Sequence, residues 1–127
     1  MKSVSALLKI IADRWKMIGW FIIVLVNYLS LIPSPPHIDP TEGGMGDHVL
    51  AYTVMMWWWG QLYTKPKNLW VALAFVIMGV ALEFAQRMTG YRTFDYMDMV
   101  GNACGVALGL VVSAKWKIPA LQRLYAI

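Results

Sequence analysis

Charge is scarce in this chain. Of its 127 residues only 14% are Asp, Glu, Lys or Arg, against 59% hydrophobic, and mean hydropathy is +0.54. A water-soluble fold of this length has more surface than so few charges can coat, so the composition argues against an ordinary soluble domain and for a bilayer. Cysteine is nearly absent. The single Cys104 cannot form an intrachain disulfide, and with only two histidines it leaves no zinc framework. A basic run is missing as well: the net charge of +4 comes from Lys and Arg that flank apolar segments, which excludes the basic stripe of a nucleic-acid binder. Nor does a small-residue cleavage site follow the first apolar run. Pro33-Ser34-Pro35-Pro36 comes instead, so that run is expected to be retained as a span rather than removed as a signal.

What the chain does have is four apolar stretches, roughly 17–32, 47–63, 69–86 and 98–114. Each is near the low end of the ~17–25 residues that cross a bilayer as a helix. Trp15 and Trp20 lie near the start of the first, Trp57–Trp59 and Tyr63 near the end of the second, Trp70 at the start of the third and Trp116 after the fourth. Such rings favour the headgroup level; the other reading of the Trp57–Trp59 triplet is a substrate-binding aromatic patch. The expected fold is therefore all-α: a polytopic membrane protein, one domain over residues 1–127, built as a bundle of four transmembrane helices. Short interfacial helices are expected at both termini. Residues 4–16 place Val4, Leu7, Leu8, Ile11 and Trp15 at helical spacing, and Leu121, Leu124 and Tyr125 follow Pro119. The Pro- and Gly-rich loop 33–46 has no periodicity and reads as a connection or a lid.

Lys2, Lys9, Arg14 and Lys16 precede the first stretch, Lys65 and Lys67 link the second and third, and Lys115, Lys117 and Arg123 end the chain. The other two links hold only Arg87 and Arg92, with acidic Asp39, Glu42 and Asp47. This bias predicts both termini in the cytoplasm.

The polar residues then gather at the opposite membrane surface. Asp47 and His48 open the second stretch, with Tyr52 one turn on; Glu83, Gln86 and Arg87 close the third; Arg92, Asp95, Asp98 and Asn102 open the fourth. Ionisable groups at this depth are costly unless paired, so they are candidates for function. Asp95, Asp98 and Asn102, at separations of three and four, share one helix face. Gly101, Gly105 and Gly109 form a small-xxx-small seam that admits a neighbouring helix, and ordinary bundle packing explains it fully. A purely structural reading of the charges is also available: Glu83 with Arg87 at i,i+4, and Arg92 with Asp95 or Asp98 across the short link.

The sequence Gly46-Asp47-His48-Val49-Leu50-Ala51-Tyr52, with Glu83-Phe84-Ala85-Gln86, Gly90-Tyr91-Arg92-Thr93-Phe94-Asp95-Tyr96-Met97-Asp98, Asn102 and Gly105, resembles the VanZ-like family of small bacterial membrane proteins. Ser30-Leu31-Ile32-Pro33 is similar to that family's sequence after its first span, and the likeness covers roughly residues 28–112. The resemblance implies a polytopic protein of the bacterial cytoplasmic (inner) membrane and a link to resistance against the glycopeptide teicoplanin. It implies no particular reaction. The family's Asp-Lys pair ahead of the histidine is replaced here by Gly44-Met45, which removes a lysine from any phosphate-binding role.

Two function classes follow. In the first, a binding module, Asp47, His48, Tyr52, Glu83, Gln86, Arg92, Asp95, Asp98 and Asn102 form an outward-facing polar pocket for a lipid or lipid-linked cell-envelope headgroup. Arg92 meets phosphate there, and the acids and amides hold sugar or amine groups. In the second, a membrane-embedded hydrolase or transferase acts on an envelope lipid, with His48, Glu83, Asp95 and Asp98 as the catalytic candidates and a divalent metal as an option. No metal-ligand motif or cofactor signature is present, nothing calls for a nucleic-acid partner, and the oligomeric state is left open. A small multidrug-type transporter ranks third, because the basic residues favour one orientation.

Overall fold

The computed structural model describes residues 2–33, 44–92 and 95–121. It is all-helical: α1 (Lys2–Leu31), α2 (Met45–Gly60), α3 (Lys67–Met88) and α4 (Tyr96–Lys115), with no strand among the described residues. At 1.5 Å per residue these are ~45, ~24, ~33 and ~30 Å long. By length and composition α3 and α4 are able to cross a bilayer. α2 has only 16 residues, and α1 carries Lys9, Asp13, Arg14 and Lys16 in its first half.

Residues 4–16 are helical as expected, but they are not a separate interfacial helix. They continue without a break into the apolar part of α1, because 2–31 contains no proline and only Gly19 to interrupt a helix. At the other terminus a short turn of helix begins after Ile118, and Leu121 is buried. Leu124 and Tyr125 lie outside the described residues, as does most of the loop expected over 33–46.

The glycine seam sets the architecture. A Cβ at Gly105 would lie 2.6 Å from the Val49 carbonyl oxygen and 2.8 Å from Tyr52 Cβ, and one at Gly109 would lie 2.6 Å from the Thr53 carbonyl oxygen. Only a hydrogen at these positions lets the α2 backbone approach so closely. Gly101, four residues earlier, faces Met45 and His48. Residue numbers rise together on both sides of this contact, so α2 and α4 run parallel. Glu83 meets Asp95, and Gly79 faces Asn102, so α3 runs antiparallel to α4. α1 returns the pattern, with Trp15 beside Trp58 and Ser30 beside Gln86. Alternating directions are what short links between four helices require.

Tryptophan holds α1 to α2. The Trp15 and Trp58 rings stack at 3.7 Å with planes 6° apart, and each indole Nε1 donates to the other residue's carbonyl at 2.8 Å. Trp59 is buried and donates to Gly19 O at 3.1 Å, with Trp20 edge-on to it. Trp57 packs edge-on against both stacked rings. The triplet expected at the headgroup level is thus an interhelical clamp first, since paired N–H groups and stacked faces leave little of it to bind anything else. Trp70 and Trp116 do remain exposed.

At the same end, residues after α4 fasten the α2–α3 link. Buried Gln61 donates to Trp116 O and accepts from Ile118 N, both at 2.8 Å, and Lys117 Nζ donates to Gly60 O and Tyr63 O. An ammonium on terminal carbonyls also suits the negative end of the α2 dipole.

Candidate functional site

The distribution of polarity is inverted relative to a soluble bundle. Phe21, Val24, Ile77, Phe84, Leu108 and Val111 are exposed, while Glu83, Gln86, Asp98 and Asn102 are buried. The four buried polar residues come from the C-terminal end of α3 and the N-terminal end of α4, and His48 and Tyr52 join them from the N-terminal end of α2. Three helices thus bring these six residues to one end of the bundle, as the spacing in sequence predicts, while Gln61, Asn68 and Ser113 are buried at the other.

α4 begins where Asp95 caps it, its side chain accepting from Met97 N at 2.9 Å. Asp98 and Asn102 follow on the inward face. Between them sits His48. Its Nδ1 is 2.8 Å from Asn102 Oδ1, and its Nε2 is 3.4 Å from Asp98 Oδ1. The first contact is a hydrogen bond; the second is an ion-pair distance, too long for a good hydrogen bond. Glu83 is 1% exposed, and its Oε1 accepts from Asp95 N at 2.7 Å, tying the end of α3 to the start of α4. Glu83 lies within electrostatic reach of Asp98, His48 and Asp95. Glu83 and Asp98 therefore share one cluster. Tyr52, also 1% exposed, is within reach of the Glu83 charge, and its ring edge faces Gly79 beside Asn102.

Two atoms of this cluster, Tyr52 Oη and Asp98 Oδ1, are buried without a hydrogen-bond partner, and so is Gln86 Oε1, one turn beyond Glu83 on α3. Buried polar groups are nearly always paired, and an unpaired one costs ~1–3 kcal/mol. Among the described residues one more such atom occurs, Asn68 Oδ1 in the first turn of α3 at the other end of the bundle.

The expected role of Arg92 is corrected. Arg92 does not bridge the acids. Its Nη1 donates to the carbonyls of Ser30 at 2.8 Å, Ile32 at 3.3 Å and Leu29 at 3.4 Å, which closes the last turn of α1. Those carbonyls have no partner within their own helix and carry the negative end of its dipole, so they compete well for a guanidinium. Gln86 joins the same turn through Nε2 to Ser30 O at 2.7 Å, and the exposed Tyr91 hydroxyl donates to Leu31 O. Arg87 is exposed while Glu83 is buried and bonded to Asp95 N, so the alternative reading of an i,i+4 neutralisation gives way to the interhelical bond. Asp47 sits in the first turn of α2, next to His48 in sequence. Among the described residues no three His, Cys, Asp or Glu side chains form a group able to hold a metal ion.

Ser30 and Gly79 belong to the site and were not legible beforehand. Ser30 contributes only its backbone carbonyl, which sequence does not advertise. Gly79 stands alone in α3, and the single hint it offered was a glycine in the middle of an apolar helix.

Comparison with known proteins adds one relative and no activity. The chain matches no family model and no solved structure. An uncharacterized protein of the yeast Schizosaccharomyces pombe is 28% identical over 116 residues, covering 89% of this chain and 72% of the relative.

Proposed function

We propose that this is an integral membrane protein of four crossing helices, whose buried polar end receives the headgroup of a membrane lipid or of a lipid-linked cell-envelope precursor. The observation that carries the reading is the unfinished network: Tyr52 Oη, Asp98 Oδ1 and Gln86 Oε1 are sealed from bulk water at the same end without a hydrogen bond, Asp98 Oδ1 facing only His48 Nε2 at 3.4 Å. A bound polar group would complete them. The inverted polarity supports the membrane half of the proposal, because an apolar exterior around buried carboxylates suits lipid and not water. α1 and α2 cross with α3 and α4 in this reading, since the four run alternately and the seam holds α2 flush against α4. With the basic flanks on the cytoplasmic side, the polar end faces outward, in a bacterial cytoplasmic membrane if the resemblance to the VanZ-like family holds. Ties to that family and to glycopeptide resistance rest on the ordered motifs alone.

Topology and binding are tested separately. In a Cys104→Ala background, a cysteine at Asp39 should label from outside the cell and one at Lys65 only after permeabilisation; equal labelling at both ends the topology. Native mass spectrometry of detergent-purified protein should show retained lipid in the wild type and loss of it in Glu83→Gln. No retained lipid in either rules against the binding reading.

A second reading has its own observation. His48 is held between Asp98 and Asn102, and a ring oriented by a carboxylate is what a general base requires. Here the protein is a hydrolase or transferase, and release of a free headgroup or a new lipid product from reconstituted protein separates it from binding alone.

A further inference from the structure

The headgroup proposal leaves open which chemistry the buried end recognises, and the cluster itself constrains it. We infer that the group received is a primary ammonium carried by a lipid headgroup, as in an aminoethyl phospholipid; this rests on the binding reading above.

The sign of the site comes first. Glu83, Asp95 and Asp98 lie within electrostatic reach of one another. Against them stand His48 and Arg92, and Arg92 Nη1 is engaged by three carbonyls of α1. The acids outnumber the bases even with His48 protonated. An anion would also find its usual seats taken. Helix N-termini attract anions, but the α4 terminus is capped by Asp95 and the first turn of α2 holds Asp47.

Hydrogen-bonding capacity points the same way. Asp98 Oδ1, whose nearest given donor is His48 Nε2 at 3.4 Å, and Gln86 Oε1 are acceptors without a hydrogen bond, and Tyr52 Oη accepts as readily as it donates. A network short of donors is completed by N–H groups. A primary ammonium supplies three of them together with the missing positive charge. A trimethylammonium supplies the charge without the donors, and would leave the acceptors of the cluster without hydrogen bonds.

Access and source complete the argument. Glu83 and Tyr52 are each 1% exposed, but the side chains of His48 and Asp98 keep 17% and 11%. The ammonium enters on the His48–Asp98 side. Around that end Phe84, Met88, Tyr96 and Met97 are exposed, an apolar rim that accommodates acyl chains and that a free soluble amine would not need.

The test uses the full-length protein in nanodiscs of defined composition, with retained lipid counted by native mass spectrometry. Phosphatidylethanolamine should be retained about tenfold over phosphatidylcholine and phosphatidylglycerol, the scale of a lost charge-assisted hydrogen bond. Asp98→Asn should erase that preference and leave retention of the other two lipids unchanged; if it does not fold, the wild-type lipid series decides alone. Equal retention of all three lipids, or a preference for phosphatidylglycerol, overturns the ammonium assignment while headgroup binding survives. Retention of none overturns both. Free ethanolamine raising the thermal midpoint of detergent-solubilised protein as much as phosphatidylethanolamine does would assign the site to a soluble amine and overturn the lipid source.

Discussion

Gly105→Ala is the sharpest probe of the bundle. The new methyl would sit 2.6 Å from Val49 O, 2.8 Å from Tyr52 Cβ and 3.1 Å from Thr53 N. None of these atoms can swing aside, because each belongs to the α2 backbone or is fixed to it. Ordinary contact begins near 3.4 Å, so α2 and α4 must part by roughly 0.8 Å at this point. Overpacking of this kind typically costs ~1–3 kcal/mol. Ala also gains ~1 kcal/mol over Gly in helix propensity, which offsets part of the loss. Contacts this short against fixed backbone put the cost at ~2–3 kcal/mol, the upper part of the overpacking range, so the net expectation is ~1–2 kcal/mol of destabilisation for Ala, and ~3 kcal/mol for Leu. Tryptophan fluorescence during reversible unfolding in mixed micelles reports the change, since seven tryptophans are present and several pack between helices. Ala107→Leu, on the exposed face of α4, serves as the control and should stay within ~0.5 kcal/mol. If Gly105→Ala proves as stable as the wild type or more so, propensity has won and the close seam does not exist.

Other substitutions separate structural from functional roles. Glu83→Gln keeps an oxygen for Asp95 N and removes the charge, so unfolding should shift by under ~1 kcal/mol, while Glu83→Ala loses the bond and opens a cavity at ~2–4 kcal/mol; equal losses would make Glu83 a mere staple. Trp58→Phe removes the donor to Trp15 O and should cost ~1–2 kcal/mol in the same assay, whereas an unchanged midpoint would mean the rings meet lipid rather than each other. Arg92→Met should release the last turn of α1, seen as faster amide hydrogen exchange near Ile32 with α3 and α4 unaffected; loss of protection at α4 instead would return Arg92 to the acids. Asn102→Ala leaves His48 Nδ1 without its partner and should destabilise by ~1–3 kcal/mol, a loss that Asn102→Gln, whose longer arm misplaces the amide, should not recover.

The chain by itself determined whatever depends on neighbours in sequence. Helix periodicity put His48 and Tyr52 on one face of α2 and aligned Asp95, Asp98 and Asn102 on α4, because residues three or four apart stack on any helix. Glycines four apart announced a seam, whereas the start of α4 at Tyr96, capped by Asp95, falls two residues before the stretch read from sequence. Burial at a common depth followed from helix direction and rise alone. Tertiary structure decided the choices among competing partners. Arg92 is long, and several acceptors lie within its reach; it joins Gln86 and Tyr91 on the carbonyls that end α1, which have no partner within their own helix. That Trp58 and Trp59 of the triplet pair with Trp15 and Gly19 O was decided by the placement of α1. Gln86 could have faced the acids, yet its amide reaches Ser30 O on a helix 56 residues away. Long polar side chains choose by geometry between groups that only the assembled bundle brings together, and that choice leaves no periodic trace in sequence.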